Sequence, residues 1–240
     1  LVAALGAGAV QPALQTTTRP DRPTGELTAA RACQAVGHLL PEGAIVVDEA
    51  ITSGQKLGAM TAGAPRHDLL TLTGGAIGQG LPSAVGAAIA CPDRPVIALV
   101  GDGSAMYTVH ALWTMAREQL HVISIIFNNA AYSVLNIELE RVGAGEPGPR
   151  SRAQLDLGGP QLDFARLAQG MGVHAVRADT AEAFCTALEY ALATPGPHLI
   201  DALVPESIAG AKRKVLPWVL GAATHLPQPV AQVLKRAISP

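Results

Sequence analysis

Six short apolar runs recur along the chain, and none of them alternates with polar residues as a half-exposed strand would. They are the segments 44–50, 69–73, 96–101, 121–129, 173–178 and 198–204. Stretches with apolar residues at helical spacing precede or separate them, at 26–40, 80–90, 104–119, 161–171 and 181–193. Continuous apolar strands joined by helices are typical of a parallel sheet covered on both faces. We therefore predict an α/β fold, a doubly wound parallel sheet with helices on both faces.

The composition limits the class of protein. Aromatic residues are only 3% of the 240 residues while 49% are apolar, so a sizeable core has to close through small and aliphatic side chains. The net charge of -2 leaves no broad basic surface, and we predict no nucleic-acid binding. No apolar run reaches the ~18–20 residues that span a bilayer, so we do not expect a membrane protein.

The cysteines indicate the redox environment. Cys33, Cys91 and Cys185 are scattered along the chain, without the close spacing of a zinc site or a disulfide framework. Each lies among apolar neighbours, which is typical of small core residues. We therefore predict a reducing, cytoplasmic location.

Three segments differ in pattern. Residues 1–25 run from an apolar start into a Thr/Pro-rich stretch, which we interpret as the end of a preceding domain and a linker. Residues 26–205 carry the regular helix and strand pattern of one domain. Residues 206–240 contain two amphipathic pieces separated by prolines, which predict a short helical C-terminal extension. Within the domain, the Gly/Pro-rich segment 143–160 is long for a connection, and we expect a mobile or ligand-linked loop there.

The strand at 96–101 ends in an unusual tetrapeptide, Gly101-Asp102-Gly103-Ser104. An acid there could simply cap a helix. A dinucleotide-binding loop fits poorly, because the third glycine is missing and an acid stands where the backbone should meet the pyrophosphate. The 24 residues from Ser104 to Phe127 suffice for one crossover helix and a returning strand, which places Asp102 and Asn129 at the same sheet edge. A carboxylate and an amide oxygen there predict Mg²⁺ bound to a diphosphate.

Both halves of this motif, their spacing and the preceding segment "LTGGAIGQG" resemble the cofactor motif of thiamine-diphosphate-dependent enzymes. From Leu27 to Val204 the chain is similar to the C-terminal pyrophosphate-binding domain of their acetolactate synthase and benzoylformate decarboxylase branch. The resemblance implies thiamine diphosphate and Mg²⁺ as cofactors and a 2-oxo acid as substrate. The acid would lose carbon dioxide and end as an aldehyde, or its remaining carbon unit would attack a second carbonyl. Some members also bind FAD in a middle domain, on which these residues carry no signal.

The resemblance also implies roles for individual residues. Metal ligands would be the side chains of Asp102 and Asn129 and the carbonyl of Ala131. The diphosphate would be held by residues after the first and third strands, with a tyrosine covering it: Thr52, Ser53, Gly101, Gly103, Ser104 and Tyr132.

Other positions correspond to the rest of the cofactor and to the substrate. Gly75 would offer its carbonyl to the aminopyrimidine ring, and Ile77 would be the aliphatic wedge that bends the cofactor into a V shape. Val134 and Leu135 would form part of the substrate pocket. Asp48 and Glu49 end the first strand. A place in this site and a role as solvated acids at a strand end are equally consistent with the sequence.

The resemblance assigns no catalytic residue to this chain. In the family a glutamate from a separate N-terminal pyrimidine-binding domain activates the cofactor, usually across a dimer interface, and no copy of that domain occurs in the 240 residues. We expect the chain to be the carboxyl-terminal part of an enzyme more than twice this length, which forms a homodimer or tetramer. The alternative hypothesis is a non-catalytic remnant, or an interaction module, of the same fold.

Overall fold

A six-stranded parallel sheet forms the centre of the computed structural model, which describes residues 3, 4, 6, 18–142 and 147–206. The strands are β1 (Ile45–Glu49), β2 (Asp68–Thr71), β3 (Val96–Gly101), β4 (Val122–Asn128), β5 (His174–Ala178) and β6 (His198–Leu203). Their order across the sheet is β2-β1-β3-β4-β6-β5, and every neighbouring pair is parallel. The chain thus winds outward in both directions from the boundary between β1 and β3, and the predicted doubly wound sheet is confirmed.

The helices in the described ranges lie before β1 and between successive strands. They are α1 (Ala29–Leu39), α2 (Leu57–Thr61), α3 (Gly80–Ala90), α4 (Asp102–Thr108), α5 (Ala111–Arg117), α6 (Ser133–Arg141), α7 (Pro149–Leu155), α8 (Phe164–Gly170) and α9 (Ala181–Ala193). Threonine side chains cap the amino ends of two helices: Thr28 accepts a hydrogen bond from an N–H of α1, and Thr180 accepts one from an N–H of α9. None of the helices in these ranges combines the length and apolar character that crossing a membrane requires.

The helix predicted at 104–119 is instead two helices, α4 and α5, with a turn at Val109 and His110 between them. Thr108 and Val109 are β-branched, which lowers their helix propensity. The Thr108 hydroxyl also donates to the carbonyl of Gly78, 2.9 Å away, and so ties the end of α4 to another loop. The short helices α2, α6 and α7 were not predicted.

Two apolar cores cover the two faces of the sheet. On β3, Ile97 and Leu99 belong to the core beneath α1 and α9. Val96, Ala98 and Val100 of the same strand belong to the core beneath α3, α5 and α8. Burial of one such aliphatic side chain contributes roughly 1.5–3 kcal/mol, so both faces stabilise the fold. This arrangement explains why the apolar runs in the sequence are continuous.

The edge strand β2 departs from that pattern. Strands β3 and β4 are buried almost throughout, whereas all four residues of β2 are exposed. The strand predicted at 69–73 is present as β2, but the described residues do not cover it as they cover the central strands. Its position at the end of the sheet leaves Leu69 and Leu70 uncovered by the described residues.

The segment before α1 packs on the domain from Thr18 onward. Arg19 donates hydrogen bonds to the carbonyls of His38, at 2.9 Å, and Leu40, at 2.5 Å. Arg22 forms an ion pair with Glu189 of α9. Most of the predicted linker, and the predicted helical extension at 206–240 apart from Glu206, lie outside the described residues.

A buried polar cluster connects β4, β5 and β6. Asp201 of β6 is 0% exposed, and its carboxylate accepts hydrogen bonds from Asn128 Nδ2 at 2.9 Å and from Arg177 Nε at 3.1 Å. Arg177 also lies 3.3 Å from a carboxylate oxygen of Asp163, the residue that caps α8. Asn128, the first asparagine of the sequence motif, therefore supports the sheet.

The histidines of β5 and β6 lie at the amino ends of these two strands. His174 and His198 are the first residues of their strands, and with Tyr190 they line a cleft of 590 Å³ beside α9. His198 Nε2 lies 2.9 Å from the carbonyl of Thr194. From these residues the cleft runs along the two strands, and its lining includes Val176, Arg177 and Ile200.

Candidate functional site

Asp102 meets the residues after β4 at the carboxyl edge of the sheet. The register pairs Gly101 with Phe127, so β3 and β4 end side by side. The Asp102 carboxylate is only 3% exposed, and its Oδ2 accepts hydrogen bonds from the backbone N–H groups of Asn129, at 3.1 Å, and Ala130, at 2.7 Å. Its Oδ1 accepts from the N–H of Gly103 at 2.8 Å. The structure thus brings together the two halves of the sequence motif.

Asp102 is a buried carboxylate without a cationic partner among the described residues. Burial raises the pKa of the carboxyl group to about 6, although the three backbone N–H groups favour the charged form. Within the described ranges, no lysine, arginine or histidine forms an ion pair with it. A buried carboxylate is costly unless it is paired or coordinates a metal. Asp102 is therefore suited to a cation supplied from outside the chain.

The loop after β4 turns sharply to present further oxygen atoms. Ala130 has a φ of 55°, and the Asn129 side chain closes the turn by accepting the N–H of Ala131 at 3.0 Å. Ala131 forms an antiparallel bridge with Asp156 whose hydrogen bonds run through the flanking residues. In such a pair the N–H and C=O of the central residue point away from the partner strand. The Ala131 carbonyl is thereby directed away from Asp156 and is available to a ligand.

The Gly/Pro-rich segment is more ordered than its composition suggests. Residues 149–155 form α7, which was not predicted, while 143–146 lie outside the described residues. Directly after α7, Leu157 donates to the carbonyl of Ala130 at 2.8 Å, and the Leu155 carbonyl accepts from Tyr132 at 2.9 Å. The segment supports the loop that carries Asn129 and Ala131.

Tyr132 packs directly on Gly103. A Cβ atom at position 103 would overlap the Tyr132 ring, so the absence of a side chain at Gly103 makes this contact possible. Ser104 follows in the first turn of α4 and is buried. Tyr132 therefore lies over the start of α4. The resemblance implies that this residue covers the diphosphate.

A Gly103→Ala substitution is expected to lower the free energy of unfolding by about 1–3 kcal/mol, because the new methyl group displaces the Tyr132 ring. Urea denaturation followed by circular dichroism measures the change. In a Tyr132→Ala background the same substitution should cost clearly less, since the overlapping ring is gone. An equal cost in both backgrounds would show that the contact is not what requires glycine.

The Gly-rich segment after β2 forms a loop at the same edge. Thr73–Gly75 makes a single 3₁₀ turn, in which Gly75 is exposed. Ile77 is 45% exposed, as are several other large apolar side chains of the described residues, and this exposure leaves it accessible to a ligand.

Glu49 binds the Gly-rich loop at this edge of the sheet, a contact that the sequence did not reveal. Its side chain is 1% exposed, and its two carboxylate oxygens accept the N–H groups of Gly78 and Gly80, each at 2.5 Å. The interpretation as a solvated acid is therefore wrong for Glu49. An acid at the end of a strand that precedes a Gly-rich segment is a weak signal, and only the fold joins the two.

The remaining predicted residues lie at this edge without direct contact to Asp102. Thr52 and Ser53 follow β1, and Ser53 is buried with its carbonyl 3.4 Å from Cys33 Sγ. In the described part of the chain no hydrogen bond joins them to Asp102 or Asn129. Val134 and Leu135 lie in the first turn of α6, directly beyond Tyr132, and are exposed.

The sequence from residue 53 to 202 matches the family described as thiamine pyrophosphate enzyme, C-terminal TPP binding domain. A Mycobacterium tuberculosis protein with the name "Putative acetolactate synthase large subunit IlvX" is 58% identical over 192 residues, which are 80% of this chain and 37% of that protein. Benzoylformate decarboxylase of Pseudomonas aeruginosa is 42% identical over 127 residues, 53% of this chain and 23% of that enzyme.

A solved structure is similar to the fold as well as to the sequence. The thiamine diphosphate-dependent 4-hydroxybenzoylformate decarboxylase of Rhodococcus jostii RHA1 superposes with a TM-score of 0.70 at 34% identity, over 81% of this chain and 36% of that one. The matched part of the chain thus spans between about a quarter and little more than a third of the length of these relatives. Because the family match covers more than half of the chain, the protein belongs to the C-terminal TPP-binding domain family of thiamine pyrophosphate enzymes.

Proposed function

We propose that this domain binds thiamine diphosphate through Mg²⁺ as part of an enzyme that decarboxylates a 2-oxo acid and then either releases an aldehyde or forms a new carbon–carbon bond. The observation that carries the proposal is the buried Asp102 carboxylate, which closes on the Asn129 loop without a cationic partner among the described residues. Membership of the family supplies the identity of the cofactor.

The donor set fits Mg²⁺. Asp102 offers a carboxylate, Asn129 an amide oxygen and Ala131 a backbone carbonyl, and all three are the hard oxygen ligands that this ion prefers. Three protein ligands leave coordination positions for water and for diphosphate oxygens. We assign the metal to these three residues.

The other predicted residues would contact the cofactor itself. We assign the diphosphate to the backbone around Gly101, Gly103 and Ser104, to Thr52 and Ser53 and, as its cover, to Tyr132. Gly75 and Ile77 would hold the aminopyrimidine side. Val134 and Leu135, exposed beyond Tyr132, would contact the substrate.

Catalysis in the proposed enzyme divides between the cofactor and the protein. When bound, thiamine diphosphate supplies the nucleophile for the carbonyl carbon of the 2-oxo acid and takes up the electron pair left when carbon dioxide departs. The residues of this chain hold the metal and the diphosphate and orient the aminopyrimidine. We propose that the glutamate that activates the cofactor belongs to a pyrimidine-binding domain outside residues 1–240.

The proposed assembly is that of the longer relatives. The chain covers 37% of the length of the Mycobacterium tuberculosis protein, which leaves room for pyrimidine-binding and middle domains. We propose a homodimer or tetramer in which those domains complete the site. A cytoplasmic location is in keeping with three free cysteines, two of them buried.

Calorimetric titration with thiamine diphosphate tests the proposal. We expect saturable binding in the presence of Mg²⁺, loss of binding when EDTA removes the metal, and no comparable binding of thiamine, which lacks the diphosphate. Absence of binding under all these conditions would contradict the cofactor assignment.

Activity distinguishes an enzyme part from a non-catalytic remnant. An assay with pyruvate, without and with an added pyrimidine-binding domain, should show turnover only when that domain is present. Binding of the cofactor without turnover in either case would favour the remnant, and robust turnover by the chain alone would contradict the external glutamate.

A further inference from the structure

Glu49 joins two parts of the chain that are distant in sequence. It is the last residue of β1, and it binds the N–H groups of Gly78 and Gly80, which precede and start α3. Both oxygens of the carboxylate are used, and the side chain is shielded from solvent. The carboxylate therefore holds the end of the Gly-rich loop against the sheet.

Thr108 holds the same loop from the other side. Its hydroxyl donates to the carbonyl of Gly78 at 2.9 Å, so this glycine is bound through its N–H by β1 and through its C=O by α4. Gly78 has a φ of +87°, and a Cβ atom there would lie 2.7 Å from the Cβ of Tyr107. We call the contacts of Glu49 and Thr108 with Gly78 and Gly80 the Gly78 clamp.

The loop in front of the clamp is closed by its own hydrogen bonds. The Gln79 side chain accepts the N–H of Thr73 at 3.2 Å, and the carbonyl of Thr73 accepts the N–H of Ala76 at 3.2 Å. Residues 73–79 are thus connected internally, and the exposed Ile77 stands directly before the clamped glycine. A shift at Gly78 would move Gly75 and Ile77 with it.

The clamp also connects the loop, through helix α4, to the proposed metal site. Thr108 ends α4, and Asp102 begins the same helix. The residues proposed to hold the aminopyrimidine are thereby connected through one helix to the residues proposed to hold the metal and the diphosphate. One cofactor molecule has to reach both groups, and a misplacement of about 1 Å can cost on the order of 100-fold in rate.

We propose that Glu49 and Thr108 are positioning residues, which set the distance between the Gly75–Ile77 loop and the metal site so that one thiamine diphosphate fits both. The inference rests on the proposed function and adds to it two residues that are not themselves placed against the cofactor. A carboxylate suits this role because it has two acceptor atoms for two N–H groups. A glutamine at position 49 would keep the shape but turn an NH₂ group toward one of them.

Two ligands separate positioning from a general loss of structure. Inorganic diphosphate with Mg²⁺ needs only the metal side of the site, whereas thiamine diphosphate with Mg²⁺ needs the loop as well. We expect Glu49→Gln to weaken binding of thiamine diphosphate about 10-fold or more, from the loss of a charged hydrogen bond. Thr108→Val should weaken it about 3- to 10-fold, and affinity for inorganic diphosphate should stay within about 2-fold in both variants.

Matched controls accompany the variants in calorimetric titrations of the full chain. Thr108→Ser keeps the hydroxyl and should bind like wild type. Glu42→Gln makes the same chemical change at an exposed position in the turn before β1, and it should have no effect. Thr108 is only partly buried, so its valine variant keeps the test valid if Glu49→Gln does not fold.

The outcomes are distinct. Parallel loss of both ligands in a folded variant would show a general structural role and overturn the inference. Unchanged affinity for thiamine diphosphate would overturn it too, while wild-type binding leaves the proposed function intact. If the wild-type chain bound neither ligand, the proposed function and the inference would both be wrong.

Discussion

An Asp102→Asn variant is expected to bind thiamine diphosphate at least about 100-fold more weakly than wild type in the presence of Mg²⁺. Removal of one partner from a buried charge pair typically costs ~3–5 kcal/mol, and each 1.4 kcal/mol is about tenfold in affinity. Asparagine keeps the size of the side chain and one acceptor oxygen for the N–H groups of Asn129 and Ala130, so the fold should survive. Calorimetric titration at fixed Mg²⁺ measures the affinity.

The melting temperature without cofactor provides the internal check. Burial makes the ionised Asp102 costly in the absence of a cation, so loss of the charge should leave the cofactor-free protein nearly as stable as wild type. Asp93→Asn is a suitable control, because Asp93 is exposed and lies just before the start of β3, whereas Asp102 follows the end of that strand. If Asp102→Asn bound the cofactor like wild type, the metal would have to lie elsewhere.

An Asp201→Ala substitution is expected to lower the free energy of unfolding by about 3 kcal/mol. The carboxylate is 0% exposed, and its removal leaves the Asn128 amide and the Arg177 guanidinium without their buried acceptor. We expect a loss at the low end of the range that is usual for a broken buried ion pair, because the Arg177 side chain is 36% exposed and keeps Asp163 as a partner. Guanidinium denaturation followed by circular dichroism measures the difference.

A surface ion pair of the same kind supplies the control. Asp68 lies 2.6 Å from Arg94, but its side chain is 64% exposed. Asp68→Ala should therefore cost less than about 1 kcal/mol. Similar losses from the two variants would mean that burial does not determine the contribution of these aspartates.

The six strands could be predicted because each strand carries its own signal. Val96–Gly101 and Val122–Asn128 lie in the middle of the sheet with apolar neighbours on both faces, and their sequences are correspondingly continuous. A similar apolar run forms β2, which lies exposed at the sheet edge. A run of apolar residues indicates a strand but does not show what covers it.

The two halves of the metal site were predictable for a related reason. The interval between Asp102 and Asn129 holds only a helical crossover, observed as α4 and α5, and the returning strand β4, so chain length and the geometry of parallel strands bring these residues together. The observed hydrogen bonds from the backbone of Asn129 and Ala130 to Asp102 confirm that proximity. The ligand roles of Asp102, Asn129 and Ala131 stay predictions.

The contacts of Glu49 could not be predicted from the sequence. Its partners Gly78 and Gly80 lie 29 and 31 residues further along the chain, beyond another helix and another strand. Nothing in the local pattern distinguishes a clamping acid from a solvated one at a strand end. The difference arises only when β1 and the start of α3 are packed against each other.

The sequence by itself determined the parallel sheet, its covering by helices and the meeting of Asp102 with Asn129. These properties follow from hydrophobic pattern and chain connectivity, which are local or nearly local. Only the tertiary structure decided that Glu49 is buried, that Tyr132 lies on Gly103, and that Thr108 ties α4 to the Gly-rich loop. Such contacts depend on the distance and direction of side chains from separate elements, and no periodicity in the chain encodes them.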